Sequence, residues 1–217
     1  MKKVVFLLLL SCFFLFQCAH DKEMTGLTIK PEIEKECLSV FPAKPFRSVH
    51  KIEADLPFGG YGTFIGVTEV HPDTGLIKII LLSPEGITLL DAECMGSEII
   101  INSGIPPLDK KDFAAGLSDD IRFLFMPPKG AIEGALNNQD GSHYCIWTKD
   151  NLRTEILKGK DRTIISDIKG RTKIIRQAVL MPPVIDGLFS KMILQTKGIR
   201  GYRLSFELLQ SETAGNR

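Results

Sequence analysis

The stretch LIKIILLSPEGITLLDAECMGSEIIIN, residues 76–102, alternates short apolar runs with turn residues. The first run, 76–82, is rich in β-branched side chains and is followed by Ser-Pro-Glu-Gly at 83–86, a sequence typical of a turn. The second run carries two acids, Asp91 and Glu93, on one face only. This spacing predicts consecutive antiparallel strands with one dry face and one wetter face.

Similar strand patterns flank this stretch on both sides. Residues 61–70 predict a strand before it, so that four strands form a meander over residues 61–102. The clearest later strand is 201–209, in which Tyr202, Leu204, Phe206 and Leu208 face one way. Segments 129–141 and 182–187 are predicted to be loops, and the remaining predicted strands are 142–149, 152–158, 162–170, 171–180 and 190–196.

Two helices are predicted between and before the strands. Residues 31–40 form a short one that begins with Pro31. The longer one spans 109–126, with Asp109 as its cap, an apolar stripe of helical spacing, and Asp119-Asp120 on its wet side. Its stripe consists of Phe113, Leu117, Ile121 and Leu124.

The fold class predicted from these patterns is mainly β with a few helices (α+β). We expect one curved antiparallel sheet of about eight to eleven strands, forming an incomplete barrel with a plugging helix and an apolar interior. The candidate residues for a ligand cavity are Ile79, Leu81, Leu90, Phe113, Leu117, Leu204 and Phe206.

The N-terminus reads as an export signal. Two lysines precede the apolar run Val4 to Phe16, which as a helix would be roughly 20 Å long, short of the ~30 Å hydrocarbon core of a bilayer. The predicted organisation is therefore a signal peptide at 1–17, an acylated cysteine with a tether and a short helix at 18–50, and a single half-barrel domain at 51–217.

This segment resembles a bacterial lipoprotein signal, in which a cysteine is acylated and becomes the first mature residue. Cys12 has the better local match, since Ser11 directly precedes it. Cys18 has Gln17 in that place, but it follows the whole apolar run and precedes polar residues, so Cys18 is preferred and Cys12 is the alternative. Ala19 after Cys18 implies, by this resemblance, sorting to the outer membrane on its periplasmic side.

Residues 76–107, the acidic start of the helix at 109–126 and the closing GYRLSFELL (201–209) are similar to LolB-like outer-membrane lipoproteins. The resemblance implies an incomplete barrel whose mouth is plugged by helices and whose apolar interior holds acyl chains. It implies lipoprotein or lipid trafficking, with a periplasmic carrier protein as a partner, and includes uncharacterised relatives from lipid and aryl-polyene pathway clusters. In the family an exposed Leu projects from the loop matching 83–86 and inserts lipoproteins; Glu85 takes that place here.

Composition and residue spacing argue against several other classes of function. The chain of 217 residues has 27 basic and 26 acidic side chains, which does not favour nucleic-acid binding. None of the four histidines has the spacing of a metal site, and no cofactor motif stands out. His143 and Cys145 lie on the same face of a predicted strand, and they could form either a nucleophilic pair or a structural pair. Cys94 and Cys145 are a candidate disulfide, with buried free thiols as the alternative.

The sequence therefore predicts a non-catalytic carrier of an acylated or hydrophobic ligand, anchored to membrane lipid through its N-terminal acyl group. The alternative is a structural or assembly lipoprotein that binds a protein partner at the envelope.

Overall fold

Twelve strands and two helices follow one another in the part of the chain that the structure describes. The structure is a computed structural model, and it describes residues 31–138, 140–185 and 187–213. The helices are α1 (Pro31–Leu38) and α2 (Lys111–Phe125). The strands are β1 (Phe46–Asp55), β2 (Tyr61–His71), β3 (Leu76–Leu82), β4 (Thr88–Met95), β5 (Glu98–Gly104), β6 (Ala131–Asn137), β7 (His143–Lys149), β8 (Leu152–Lys158), β9 (Thr163–Lys169), β10 (Lys173–Ile185), β11 (Leu188–Thr196) and β12 (Arg203–Thr213).

All twelve strands belong to one antiparallel sheet in the order β5-β4-β3-β2-β1-β12-β11-β10-β9-β8-β7-β6. The sheet consists of two meanders. In the first meander, β1 to β5 follow one another from the middle of the sheet to one edge. In the second, β6 to β12 follow one another from the other edge back to the middle. The meanders join where β12 pairs with β1, so the last strand of the chain lies in the middle of the sheet.

Helix α2 connects the two free edges of this sheet and determines its shape. It packs on β4 and β5, while Phe125 contacts Phe46 of β1 and Phe123 lies under Arg176 of β10. Strands β4 and β10 are six spacings apart, about 29 Å in a flat sheet, whereas a helix of this length spans about 22 Å. The sheet therefore curves around α2 and stays open between β5 and β6, which confirms the predicted fold class. Its twelve strands exceed the eight to eleven that were predicted.

The concave face carries the hydrophobic core. Burial alternates along β3, where Ile77, Ile79 and Leu81 are buried on one face of the strand. Strand β4 buries Leu90, Ala92 and Cys94, as its pattern predicts. Strand β12 buries Leu204 and Phe206, with Leu208 partly buried against the same cluster.

Three parts of the chain form strands where none was predicted. Segment 129–141 contains edge strand β6, whose register shifts between Ile132 and Gly134. Segment 182–187 is largely strand: β10 continues to Ile185, and its register shifts at Pro182-Pro183 because proline has no N–H for the ladder. Strand β1 covers 46–55, so the boundary predicted between residues 50 and 51 falls inside a strand.

Helix α2 differs from its prediction at its start and on one face. Lys110 occupies the N-cap without a side-chain cap, so the predicted role of Asp109 is wrong. Asp119 is exposed, but Asp120 is buried at 4% exposure, so it does not lie on the wet side. Among the described residues no helix combines the length and apolar character needed to cross a membrane.

A disulfide ties α1 to the sheet. It joins Cys37 of α1 to Cys145 of β7, with their Cα atoms 6.4 Å apart, and Cys94 is a buried free thiol. The candidate Cys94–Cys145 pairing is therefore wrong. Both of those residues lie on strands, but β4 and β7 are near opposite edges of the sheet.

Candidate functional site: a groove beside the second helix

The candidate cavity residues from the sequence occupy two different environments. Five of them are buried in the hydrophobic core of the concave face, namely Ile79, Leu81, Leu90, Leu204 and Phe206. Leu117 is partly buried against the same core. Phe113 is 38% exposed at the start of α2. None of the seven lines the groove described next, so their role in holding a ligand stays a prediction.

The groove has a volume of about 430 Å³ and lies between the C-terminal half of α2 and the inner faces of β8, β9 and β10. Its apolar wall is formed by Phe41, Phe123, Met126, Leu152 and Ile165. This volume falls in the range of small-molecule pockets, roughly 300–1,000 Å³. The groove opens beside the β7–β8 turn, where Lys149 and Asp150 stand at its rim.

Arg176 of β10 forms one side of the groove and holds α2 against the sheet. Its guanidinium donates to Asp167 Oδ2 at 2.8 and 3.2 Å, and to Asp120 Oδ1 at 3.3 Å. It also donates to the backbone carbonyl of Asp119 and stacks 4.1 Å from the centre of the Phe123 ring. Arginine suits this position because its planar group can bind carboxylates and stack on an aromatic face at once.

Both carboxylates around Arg176 have further partners. Asp167 accepts from the Thr154 hydroxyl at 2.7 Å, and Asp120 accepts from the Tyr202 hydroxyl. Burial raises the pKa of Asp120, while Tyr202 and Arg176 oppose that rise. Burial and the nearby Asp120 raise the pKa of Tyr202. Hydrogen bonding to every member makes this network a rigid support for the groove.

Three basic side chains at the rim of the groove, Arg122, Lys129 and Lys149, accompany two exposed acids, Asp119 and Asp150. Arg122 pairs with Asp119 at 3.3 Å and donates to the backbone carbonyl of Gly96. Lys129 and Lys149 are exposed and form no ion pair within the described part of the chain. An apolar wall with free ammonium groups at the entrance suits a ligand with an apolar body and an anionic or polar end.

A second polar feature lies deep on the concave face. His50 of β1 is 2% exposed and sits between the rings of Phe125 and Phe206, at 6.0 and 5.9 Å. Its Nε2 has no hydrogen-bond partner among the described side chains and backbone groups. Burial lowers the pKa of His50 to about 4, so the ring is neutral at physiological pH.

The structure excludes a nucleophilic role for Cys145, because its sulfur is bonded to Cys37. The neighbouring His143 contacts Asn137 through Nδ1. Within residues 31–138, 140–185 and 187–213, no three potential ligands cluster to hold a metal ion. The two candidates for a catalytic pair are therefore a disulfide-bonded cysteine and a histidine that contacts an asparagine.

The loop at 83–86 is a tight turn with Glu85 fully exposed. Gly86 N–H donates to the Ser83 carbonyl at 2.9 Å, and a hydrogen bond from Ser83 holds the pKa of Glu85 below its usual range. Glu85 is therefore ionised at neutral pH. The proposed anchor Cys18 and its alternative Cys12 lie outside the described residues.

The Arg176 network is not predicted by the sequence patterns above, although one signal for it exists. Asp120 follows Leu117 by three residues and precedes Leu124 by four, so it shares the apolar stripe of α2. A carboxylate within such a stripe indicates a buried partner. The identity of that partner was not readable, because Arg176 lies 56 residues further along the chain.

Comparison with solved structures finds distant likenesses. No family model matches the sequence, and no curated protein matches it. A LolA superfamily protein from Nitrosomonas europaea aligns over 88% of this chain and 96% of its own, with 7% identity and a TM-score of 0.48. A DUF1329 family protein from Desulfovibrio piger aligns over 86% and 92%, with 11% identity and a TM-score of 0.45. The proposal for function therefore rests on this chain's own residues.

Proposed function

We propose that this protein is an exported lipoprotein that binds the apolar part of an acylated or otherwise hydrophobic ligand and carries it without chemical change. The groove beside α2 carries this proposal. It combines an apolar wall from Phe123, Met126 and Leu152 with the exposed ammonium groups of Lys129 and Lys149. The LolB-like resemblance implies lipoprotein or lipid trafficking, and the ligands of that role also carry apolar acyl chains.

The location that we propose is the periplasmic side of the outer membrane, with an acyl anchor on Cys18. The Cys37–Cys145 disulfide supports export, because such bonds persist in oxidising compartments and are rare in the cytosol. The intact mass of the N-terminal peptide from membrane-extracted protein tests the anchor. Acylation of Cys12, or no acylation, would contradict it.

Binding of a fluorescent fatty acid to the mature chain tests the carrier function. We expect Leu152→Glu to weaken binding by about tenfold or more, since it places a carboxylate against the apolar wall. Leu157→Glu is the matched control, because Leu157 lies on the same strand but is 36% exposed and is absent from the groove. Equal binding by both variants, or no binding by the unmodified chain, would contradict a ligand in this groove.

A protein-binding assembly lipoprotein remains the second candidate, and the open edge of the sheet favours it. Among the described strands, β5 pairs with β4 alone, and Ile100 on it is 51% exposed. An unpaired edge can accept a strand from another protein. Copurification of a stable partner, with no lipid detected by mass spectrometry, would favour this candidate over the carrier.

A further inference from the structure

Among the described residues, the two most exposed large apolar side chains lie in two loops at one end of the sheet. Phe58 is 91% exposed in the β1–β2 loop, and Ile199 is 92% exposed in the β11–β12 loop. Both loops leave the sheet at the end where the β7–β8 turn borders the groove, because antiparallel strands alternate in direction. We call this end of the molecule the apolar tip. It also exposes Leu56, Tyr61, Ile87 and Ile105.

The two loops are neighbours across the centre of the sheet. Asp55, at the end of β1, lies opposite Tyr61 of β2 and opposite Arg203 of β12. The loops therefore start from four adjacent strands, β2, β1, β12 and β11, which together span about 15 Å. The loops that carry Phe58 and Ile199 therefore adjoin each other along this end of the sheet.

Hydrogen bonds close both loops tightly, so that the apolar side chains are held outward. Leu56 N–H donates to the Gly60 carbonyl at 2.7 Å, and Phe58 has a positive φ of 63° that bulky residues rarely adopt. In the other loop, Gly201 N–H donates to the Gly198 carbonyl at 3.0 Å and Thr196 N–H to that of Tyr202. These side chains are displayed on fixed turns rather than tucked against the core.

Basic side chains are concentrated around Ile199 at the tip, while Asp55 at the end of β1 and Glu85 in the β3–β4 loop are exposed acids. Lys197 and Arg200 flank Ile199, and Arg203 begins the next strand. The adjacent β9–β10 turn adds Arg171 and Lys173. All five are exposed, and none forms an ion pair among the residues that the structure describes. Apolar side chains beside a cluster of basic residues match a bilayer surface that contains anionic lipid.

We propose that the apolar tip docks on a membrane that contains anionic lipid, with Phe58 and Ile199 entering the interface and Lys197 and Arg200 contacting headgroup phosphates. The docking is distinct from the acyl anchor, and it holds whether or not the groove carries a ligand.

Vesicle co-sedimentation of the oxidised chain starting at Ala19 tests the proposal. This chain lacks the proposed anchor but keeps every core residue of the described structure, the first of which is Ile33. We expect it to bind mixed phosphatidylcholine and phosphatidylglycerol vesicles, and Phe58→Ser/Ile199→Ser to weaken that binding by about tenfold. The control Met95→Ser/Leu209→Ser removes two side chains of 52% and 55% exposure away from the tip, and it should bind as the unmodified chain does.

The charge is tested separately. Lys197→Gln/Arg200→Gln should lower binding to the mixed vesicles by about 25-fold, since each basic residue near an anionic surface contributes about fivefold. Binding to pure phosphatidylcholine should not change. In Phe58→Trp, emission should shift to the blue on vesicles against the constant signal of buried Trp147.

Three outcomes would overturn the docking proposal. The first is an unmodified chain that does not sediment with either vesicle. The second is equal binding by the tip variant and its control. The third is a dimer by light scattering that Phe58→Ser/Ile199→Ser converts to a monomer, which would make the tip a contact between copies of this chain.

Discussion

The concave face differs from an ordinary apolar core because it contains polar and charged side chains. Arg176, Asp120 and Asp167 form an ionic network in which one partly exposed cation faces two buried carboxylates. Removal of one partner from such a network leaves an uncompensated buried charge, which costs far more than an exposed ion pair contributes. We expect this network to form a rigid side of the groove, which a bound ligand would contact.

His50 makes the stability of the fold depend on pH. Its folded pKa of about 4 lies below the unfolded value of 6.5, so the unfolded state binds a proton first as the pH falls. The free energy of unfolding should therefore drop by about 2 kcal/mol from this residue between about pH 7.5 and pH 5. Urea unfolding across that range measures the drop.

The variant His50→Leu provides the comparison. It places an apolar side chain between Phe125 and Phe206. It should lose this part of the pH dependence, while the contributions from all other groups remain. Parallel pH profiles for the two proteins would contradict the assignment.

Secondary-structure elements show how far local sequence determines this fold. The turns at 83–86 and 96–97 and the alternation of apolar residues in β4 and β12 were sufficient to predict those strands. Strand β1 was missed because its buried face includes Ser48 and His50, which local pattern reads as exposed. Strand β6 was missed because Gly134 and a shift in register interrupt its alternation.

The disulfide is the main covalent tie between elements, and we expect it to stabilise the fold substantially. Cys37 and Cys145 are 108 residues apart, so the crosslink restricts a long loop of the unfolded chain. The double variant Cys37→Ala/Cys145→Ala should lose about 2–5 kcal/mol in the free energy of unfolding. Chemical denaturation at fixed pH measures this loss.

A reducing agent gives the matched control for that prediction. It should destabilise the unmodified protein but leave Cys37→Ala/Cys145→Ala unchanged, because the remaining described cysteine, Cys94, is a free buried thiol. A protein whose stability does not respond to reduction would contradict a role of this bond in the fold.

At the scale of the whole molecule, the arrangement of the two meanders could not be read from the sequence. Patterns of alternation mark strands but do not state which distant strands pair. The pairing of β1 with β12 and the passage of α2 between the edges depend on contacts between segments far apart in the chain. The groove depends on them too, since Phe41, Arg122 and Ile165 reach it from three separate regions.

The topology predicts an unequal response to shortening the chain at its C-terminus. Strand β12 is last in sequence but central in the sheet, where it pairs with both β1 and β11 and buries Leu204 and Phe206. A chain that ends at Arg200 should therefore lose cooperative thermal unfolding, because both meanders would expose an unpaired apolar strand. A chain that ends at Thr213 keeps every described strand and should melt as the full chain does. Cooperative unfolding of the shorter chain, followed by circular dichroism, would show that the two meanders do not depend on β12 to form one sheet.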